Sequence, residues 1–253
     1  TMVKKNILGI LASSVLLFTS CLGESDPEAY CAGYFTIQSN ANSTDVVLYM
    51  DGGGTFYPTS STVYDATDGK GFGSVKRAYF ILYYPENLIT YDADKNIIAK
   101  QVSINSGEYL PLADPLTVEE ALEKNLLEND SLNEMASMSR IWAYKGYLTN
   151  IYASKYVIQS NMGVRPTLNM TLKPSELHPG EMDATFLLNQ HIKSEKDVVS
   201  SDTYTFSNSF DLTPFANEFL QTGLDSVTVN VTCKGIKDFS FKVSTKDVVH
   251  SFK

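Results

Sequence analysis

The chain has three histidines, His178, His191 and His250, the side chains best suited to bind zinc or transfer protons near neutral pH. No two of them have H-x-x-x-H or H-x-H spacing, and the sequence contains no G-x-S-x-G segment for a hydrolase nucleophile. Carboxylates are plentiful, so a pair of them is weak evidence of acid–base chemistry. We therefore expect no metal, no cofactor and no catalysis, and we interpret His191 as a hydrogen-bonding residue at a strand end.

A calcium site is suggested only in part by Asp92 to Asn96 (DADKN). These residues match the first half of an EF-hand loop, which needs glycine at its sixth position and a bidentate glutamate at its twelfth. Here Ile97 and Ser103 occupy those two positions. We therefore predict that the segment is a polar connection between two strands.

Cys21 is the residue with the most specific expected chemistry. A basic segment (Val3–Asn6) precedes an apolar run from Ile7 to Phe18. At ~1.5 Å per residue this run is too short to cross a ~30 Å bilayer core, and it is typical of a signal peptide. The following Thr19-Ser20-Cys21 resembles the lipobox of bacterial lipoproteins, although Phe18 replaces the usual leucine. We expect residues 1–20 to be removed and Cys21 to be acylated; the alternative is an ordinary signal peptide with an incidental cysteine.

An acidic stretch, Gly23 to Glu28, follows this cysteine. It resembles the surface-export signal of Bacteroidetes lipoproteins, and it also suits a solvated tether, which we place at residues 21–34. We expect an outer-membrane lipoprotein of a Gram-negative cell, exposed at the surface or else facing the periplasm. Cys31 and Cys233 could form a disulfide in that compartment, and unpaired thiols are an equal alternative.

Composition favours an all-β protein that does not bind nucleic acid. The chain carries 29 acidic against 20 basic residues, a net charge of −9 that repels phosphate backbones. Its 15 tyrosines and 13 phenylalanines indicate strands more than helices.

The clearest strand is Arg77 to Tyr84 (RAYFILYY), and Ile97 to Ile104 is another. Upstream, Asp51 and three glycines separate two apolar runs, a hairpin signal. Thr117 to Leu127 begins with a capping-box pattern and is the predicted helix. We assign residues 35–116 to a first β domain, residues 117–138 to a helix and linker, and residues 139–253 to a second β domain.

The second domain is predicted to contain seven strands and a short helical turn at Pro214–Leu220. The strands are Arg140–Tyr144, Tyr147–Ala153, Thr167–Leu172, Ala184–Asn189, Thr203–Phe210, Val227–Thr232 and Phe239–Val243.

Strand alternation places Tyr79, Ile81 and Tyr83 on one face of the clearest strand and Phe80 and Leu82 on the other. Leaving this trio in water is costly at ~25 cal/mol per Å² of apolar area. We expect it to be covered by the second domain, or else by a ligand or a partner. Trp142, the only tryptophan, is expected to pack in a core, with sugar stacking as the alternative.

These features together resemble the NigD-like lipoproteins of Bacteroidetes. The resemblance rests on the lipobox with its acidic tail, the Asp51-Gly52 hairpin, Trp142 ahead of GYLTNI, and the strand LLNQH that ends in His191. Gln190 stands where the family tends to have an arginine. The resemblance implies an N-terminal OB-like barrel, a C-terminal immunoglobulin-like β-sandwich and one short helix near their boundary.

Three hypotheses for function follow. The first is a non-catalytic envelope protein that binds a glycan, peptide or protein, because OB barrels present a strand face to extended ligands. The second, implied by the family name alone, is an immunity or resistance lipoprotein associated with a bacteriocin. The third is a surface hydrolase. A deep pocket with converging polar groups would favour catalysis, and a shallow aromatic strip would favour binding.

Overall fold

The computed structural model describes residues 27–39, 44–126, 133–159, 162–192 and 197–249. The protein is mostly β, as predicted, with a few short helices. It divides into two compact units at the junction between Glu108 and Tyr109. No helix in the described part of the chain is long and apolar enough to span a membrane. Cys21 and the predicted signal peptide lie outside the described residues.

The first unit is a closed five-stranded barrel. Its elements are β1 (Glu28–Ser39), β2 (Val46–Met50), β3 (Thr55–Pro58), α1 (Ser60–Ala66), β4 (Arg77–Pro85), β5 (Thr90–Tyr91) and β6 (Ile97–Tyr109). The five barrel strands have the order β3-β2-β1-β4-β6, and a parallel pairing of β3 with β6 closes the barrel. The two-residue β5 is a sixth strand that pairs with β6. This order, with a helix after the third strand, is that of the OB fold.

The barrel core follows the predicted alternation of β4. Phe80, Leu82 and Tyr84 point inward and are buried, and Phe35 and Phe56 meet in the same core with their ring centroids 5.6 Å apart. The hairpin between β2 and β3 also forms as predicted. Its three glycines, 52 to 54, all adopt positive φ angles, a conformation that glycine alone takes without strain.

Strand β1 begins earlier than the predicted tether allows. It pairs with β4 from Glu28 onward, so that Ala29 faces Tyr84 and Cys31 faces Leu82 across the ladder. The inward-facing residues at this end are small: Ala29, Cys31 and Gly33. Because they lack the bulky apolar side chains that mark a strand, the pattern resembled a tether.

Helix α1 was not predicted, because serine, threonine and valine favour helices weakly. Thr59 caps it by accepting a hydrogen bond from the backbone of Thr62. The hydroxyl of Thr62 accepts a 2.9 Å hydrogen bond from the backbone of Ile104, and Val63 is buried in the barrel core. Tertiary contacts therefore stabilise a helix that its own sequence does not favour.

The second unit is a two-sheet β-sandwich. Its elements are β7 (Leu112–Ala113), α2 (Val118–Glu123), β8 (Met135–Tyr144), β9 (Tyr147–Gln159), β10 (Met162–Val164), β11 (Thr167–Pro174), β12 (Met182–Asn189), β13 (Val198–Asp211), α3 (Ala216–Gln221), β14 (Ser226–Cys233), β15 (Phe239–Ser244) and α4 (Thr245–Val249). One sheet has the order β10-β9-β13-β7 with β8 also paired to β9, and the other has the order β11-β12-β14-β15. Both sheets contribute to one core, in which Phe186 and Phe210 lie 5.8 Å apart.

The boundary between the units differs from the predicted one. Strand β7 pairs with β13, and the backbone of Leu116 donates a 2.7 Å hydrogen bond to Met170 of β11. Residues 112–116 are therefore tied to both sheets of the sandwich, whereas we had assigned them to the first domain. The predicted capping box of α2 is present, with Thr117 and Glu120 bonded reciprocally. Beyond it, β8 already begins at Met135, within the predicted linker.

Candidate functional site

The outer surface of strands β1 and β4 carries a row of aromatic side chains, which we call the tyrosine face. It consists of Tyr79, Ile81 and Tyr83 of β4 and, directly opposite them, Tyr34, Ala32 and Tyr30 of β1. The ring centroids of Tyr34 and Tyr79 are 5.1 Å apart and those of Tyr30 and Tyr83 are 5.8 Å apart. The aliphatic pair of Ala32 and Ile81 thus lies between two aromatic cross-strand pairs.

The β4 part of this face is placed as alternation predicted. Tyr79, Ile81 and Tyr83 are each half-buried, and they alternate with the core residues of the strand. The β1 part was missed, because Tyr30 and Tyr34 fell in the predicted tether. The signal was present as the spacing Tyr-x-x-x-Tyr, which puts both rings on one side of an extended strand.

A buried charge pair lies in the next row of the same ladder. Thr36 is opposite Arg77, and both are fully buried. The guanidinium of Arg77 donates hydrogen bonds of 2.7 Å to the Thr36 hydroxyl and 2.7 Å to Oδ1 of Asp51, and it also bonds Oδ2 of Asp51. Because Asp51 opens the turn after β2, this pair holds the hairpin to β4 at one end of the tyrosine face.

The thiol of Cys31 lies on the opposite side of β1 from the tyrosines. Burial raises the pKa of Cys31 to about 12, and burial likewise raises the pKa of the neighbouring Tyr84. In the sandwich, burial raises the pKa of Cys233 to about 11. Neither cysteine is in a disulfide in this structure. Because a thiolate is the reactive form, the raised pKa values disfavour reaction of these thiols near neutral pH.

The candidate catalytic and metal residues are dispersed. Nε2 of His191, just beyond the end of β12, shares a 2.5 Å hydrogen bond with the hydroxyl of Thr167. This is the strand-end role that we predicted for His191. The backbone of His178 bonds the Ser175 hydroxyl in a turn, and His250 lies outside the described residues. Within the described ranges, no group of three histidine, cysteine or acidic residues is arranged to hold a metal ion.

The segment that resembled a calcium loop is a tight turn. The Asp92 carboxylate accepts hydrogen bonds from the backbone of Asp94 (2.9 Å) and Asn96 (2.8 Å) and from the Asn96 amide (3.0 Å). The Asn96 bonds lower the pKa of Asp92. This is the polar strand connection that we predicted.

The two remaining residues singled out by the sequence lie in the sandwich. Trp142 is half-buried on β8, and the guanidinium of Arg140 stacks 4.5 Å from its ring centroid. Gln190 is buried and donates a 2.8 Å hydrogen bond to the Ser154 hydroxyl. Gln190 thus places a neutral, hydrogen-bonded side chain inside the sandwich.

Two solved structures share this fold. A protein of unknown function from Bacteroides vulgatus (DUF1344) superposes with a TM-score of 0.50 at 12% sequence identity, over 85% of this chain and 90% of its own. A candidate lipoprotein from Bacteroides fragilis superposes with a TM-score of 0.54 at 9% identity, over 86% of this chain and 98% of its own. No protein-family model and no curated protein matches the chain. At these identities the likeness is one of fold.

Proposed function

We propose that the protein is a non-catalytic, NigD-like lipoprotein of the outer membrane, anchored through Cys21, that binds a glycan through the tyrosine face at the cell surface. Support for the anchor comes from the lipobox-like Thr19-Ser20-Cys21 and from the fold shared with a candidate lipoprotein of Bacteroides fragilis. The membrane is then one partner, through the acyl chains, and an envelope or environmental glycan is the other.

The tyrosine face is the observation that carries the binding proposal. Tyr30, Tyr34, Tyr79 and Tyr83 form two closely spaced ring pairs on one strand surface. A tyrosine combines a flat apolar ring, which stacks on the C–H face of a sugar, with a hydroxyl that can bond the sugar's polar edge. The row extends along the strands, which suits an extended chain of sugars better than a single small molecule.

Substitution of Tyr79 and Tyr83 by alanine tests this role against the alternative that the second domain covers the face. The protein would be applied to an array of bacterial and host polysaccharides. If the face binds glycans, each variant loses the array signal, while its melting temperature falls by no more than about 2–4 °C, because each substitution removes one cross-strand aromatic pair. Tyr91→Ala, which removes an exposed tyrosine of β5, is the matched control and keeps the signal.

The opposite result would contradict the proposal. If Tyr79→Ala and Tyr83→Ala lower the melting temperature by several degrees and leave glycan binding unchanged, the face is structural. If the unaltered protein binds no polysaccharide on the array, the glycan proposal is overturned.

A further inference from the structure

The second unit contains an open groove between the edges of its two sheets, which we call the edge groove. It has a volume of about 780 Å³ and is lined by residues 136–141 of β8 and by residues 235–237 and 239–241 at the start of β15. This volume is in the range of binding clefts. None of these residues belongs to the tyrosine face.

The two sheets of the sandwich are joined differently along their two pairs of neighbouring edges. On one side, residues 112–116 pair with β13 and with β11 and so join the two sheets. On the other side, β8 pairs with β9 and β15 with β14, and neither pairs with a further strand in the described part of the chain. One backbone hydrogen bond of 3.0 Å, from Met135 at the start of β8 to Lys234 ahead of β15, joins the two sheets there. An unpaired edge presents backbone N–H and C=O groups that another strand can bind.

The lining combines apolar side chains with hydrogen-bonding groups. Ile141, Phe239 and Phe241 line the groove and also pack, half-buried, against the sandwich core. Ser137 and Ser240 are exposed beside them. A wholly apolar lining would suit an acyl chain, whereas this mixture suits a peptide, which brings both apolar side chains and backbone polar groups.

The charged residues of the lining are both basic. They are Arg140 and Lys237, and Asp238, the next residue in the chain, is not among the residues that line the groove. In a chain of net charge −9 this is a local inversion of sign. The guanidinium carbon of Arg140 lies 4.5 Å from the centroid of the Trp142 ring, and a guanidinium has five N–H donors, whose fork geometry suits a carboxylate.

We propose that the edge groove binds an extended segment of a partner protein that has apolar residues at alternate positions and a carboxylate near Arg140 and Lys237. The added strand pairs with β15, because the ladder of β15 with β14 is continuous from Val231 to Ser226, whereas β8 is interrupted by two irregularities. Alternate side chains of the segment insert beside Phe239 and Phe241, and the opposite ones face solvent. This is strand addition to a sheet edge, in which the backbone supplies affinity and the inserted side chains supply specificity.

Selection from random dodecamer peptides displayed on phage tests the proposal, with the full chain as bait. The selected peptides are then synthesised, and their affinity is measured by fluorescence anisotropy. We expect alternating apolar residues with at least one acid, and binding about tenfold weaker to Arg140→Glu/Lys237→Glu. The matched control is Lys70→Glu/Lys155→Glu, which makes the same change of charge at exposed positions that lie neither in the groove nor on β15 and leaves affinity unchanged.

A second variant, Phe239→Ala, tests whether apolar side chains of the peptide insert beside this residue, and we expect it to weaken peptide binding. If this variant fails to fold, the two charge variants alone decide whether the edge groove binds the peptide. Equal binding of the selected peptides to both charge variants overturns the proposal, as does a selection that enriches no peptide. A dimer in sedimentation that Arg140→Glu/Lys237→Glu dissociates also overturns it, because the occupant is then a second copy. Tyr79→Ala leaves peptide binding intact, so failure here and failure of the glycan proposal are distinguishable.

Discussion

Arg77 of β4 and Asp51 of the β2–β3 turn form an ion pair inside the protein, with the arginine side chain fully buried and the aspartate side chain 8% exposed. The hydroxyl of Thr36 accepts a further hydrogen bond from the same guanidinium. Buried charges are tolerated only when they are paired and hydrogen-bonded, because removal from water costs several kcal/mol per ion. The pair therefore holds the hairpin against β4 and specifies where these strands meet.

Removal of one partner of this pair is expected to be costly. Asp51→Ala leaves the Arg77 charge buried without its carboxylate, which should lower the free energy of unfolding by about 3–5 kcal/mol. Urea denaturation followed by circular dichroism measures this change. Asp65→Ala, at an exposed position of α1, is the control and should change stability by less than about 0.5 kcal/mol. A loss for Asp51→Ala no larger than that of the control would show that the pair is not structural.

Gly107 of β6 is expected to tolerate no side chain. A Cβ added there would lie 2.2 Å from Cδ1 of Phe80 and 2.7 Å from the backbone oxygen of Tyr79. Gly107→Ala should therefore shift β6 away from β4 and destabilise the barrel by about 1–3 kcal/mol, the range for overpacking. Ser106→Ala, at the exposed neighbouring position, is the control. Equal melting temperatures for the two variants would contradict the close approach.

The raised pKa values of the half-buried Cys31 and the buried Cys233 predict low chemical reactivity in the folded protein. Because the pKa values of Cys31 and Cys233 are raised from 9.0 to about 12 and about 11, both remain protonated at pH 8 in the folded protein. In a Cys21→Ser background, we expect slow reaction with Ellman's reagent at pH 8 and rapid reaction of two thiols in urea.

The same shifts affect stability with a definite sign. Above pH 9 the unfolded chain loses thiol protons that the folded protein keeps, so these two groups reduce stability between pH 9 and about 11–12. Below pH 9 they contribute no pH dependence. Rapid labelling of either cysteine in the folded protein at pH 8 would show that its thiol is accessible and ionised.

Cys21 is expected to carry the lipid. Cells grown with an alkyne-bearing fatty acid should label the unaltered protein and leave Cys21→Ala unlabelled, because the cysteine is the acylated residue of a lipobox. Cys31→Ala is the matched control and should label fully. Labelling of Cys21→Ala to the same extent as the unaltered protein would exclude an anchor at this position.

Surface exposure is a separate expectation for the anchored protein. Proteinase K added to intact cells should digest a surface lipoprotein and spare a periplasmic one. Replacement of the acidic residues Glu24 and Asp26 by alanine should then reduce digestion, because these residues lie in the segment that resembles the export signal. Digestion that is unchanged by this substitution would show that the segment acts only as a tether.

Local patterns in the sequence were sufficient to predict the elements whose signal is periodic or chemical. The alternation in β4 places Tyr79 and Tyr83 outside and Phe80 inside, and the spacing of Thr117 and Glu120 predicts the capping box that forms. The turn at Asp92 was likewise predictable, because the residues at two positions required by a calcium loop are wrong. Each of these features depends on neighbours within a few residues.

Tertiary structure decided what depends on residues distant in the chain. The pairing of Arg77 with Asp51 spans 26 residues, and the hydrogen bond that fixes α1 joins Thr62 to Ile104 across 42. The strand at Tyr30 forms because β4 supplies its partners, although its own inward-facing residues are small. The spacing of residues along a strand shows which face each side chain occupies. The neighbouring strand, and hence the partner of each side chain, is set only when the chain closes into a barrel or a sandwich.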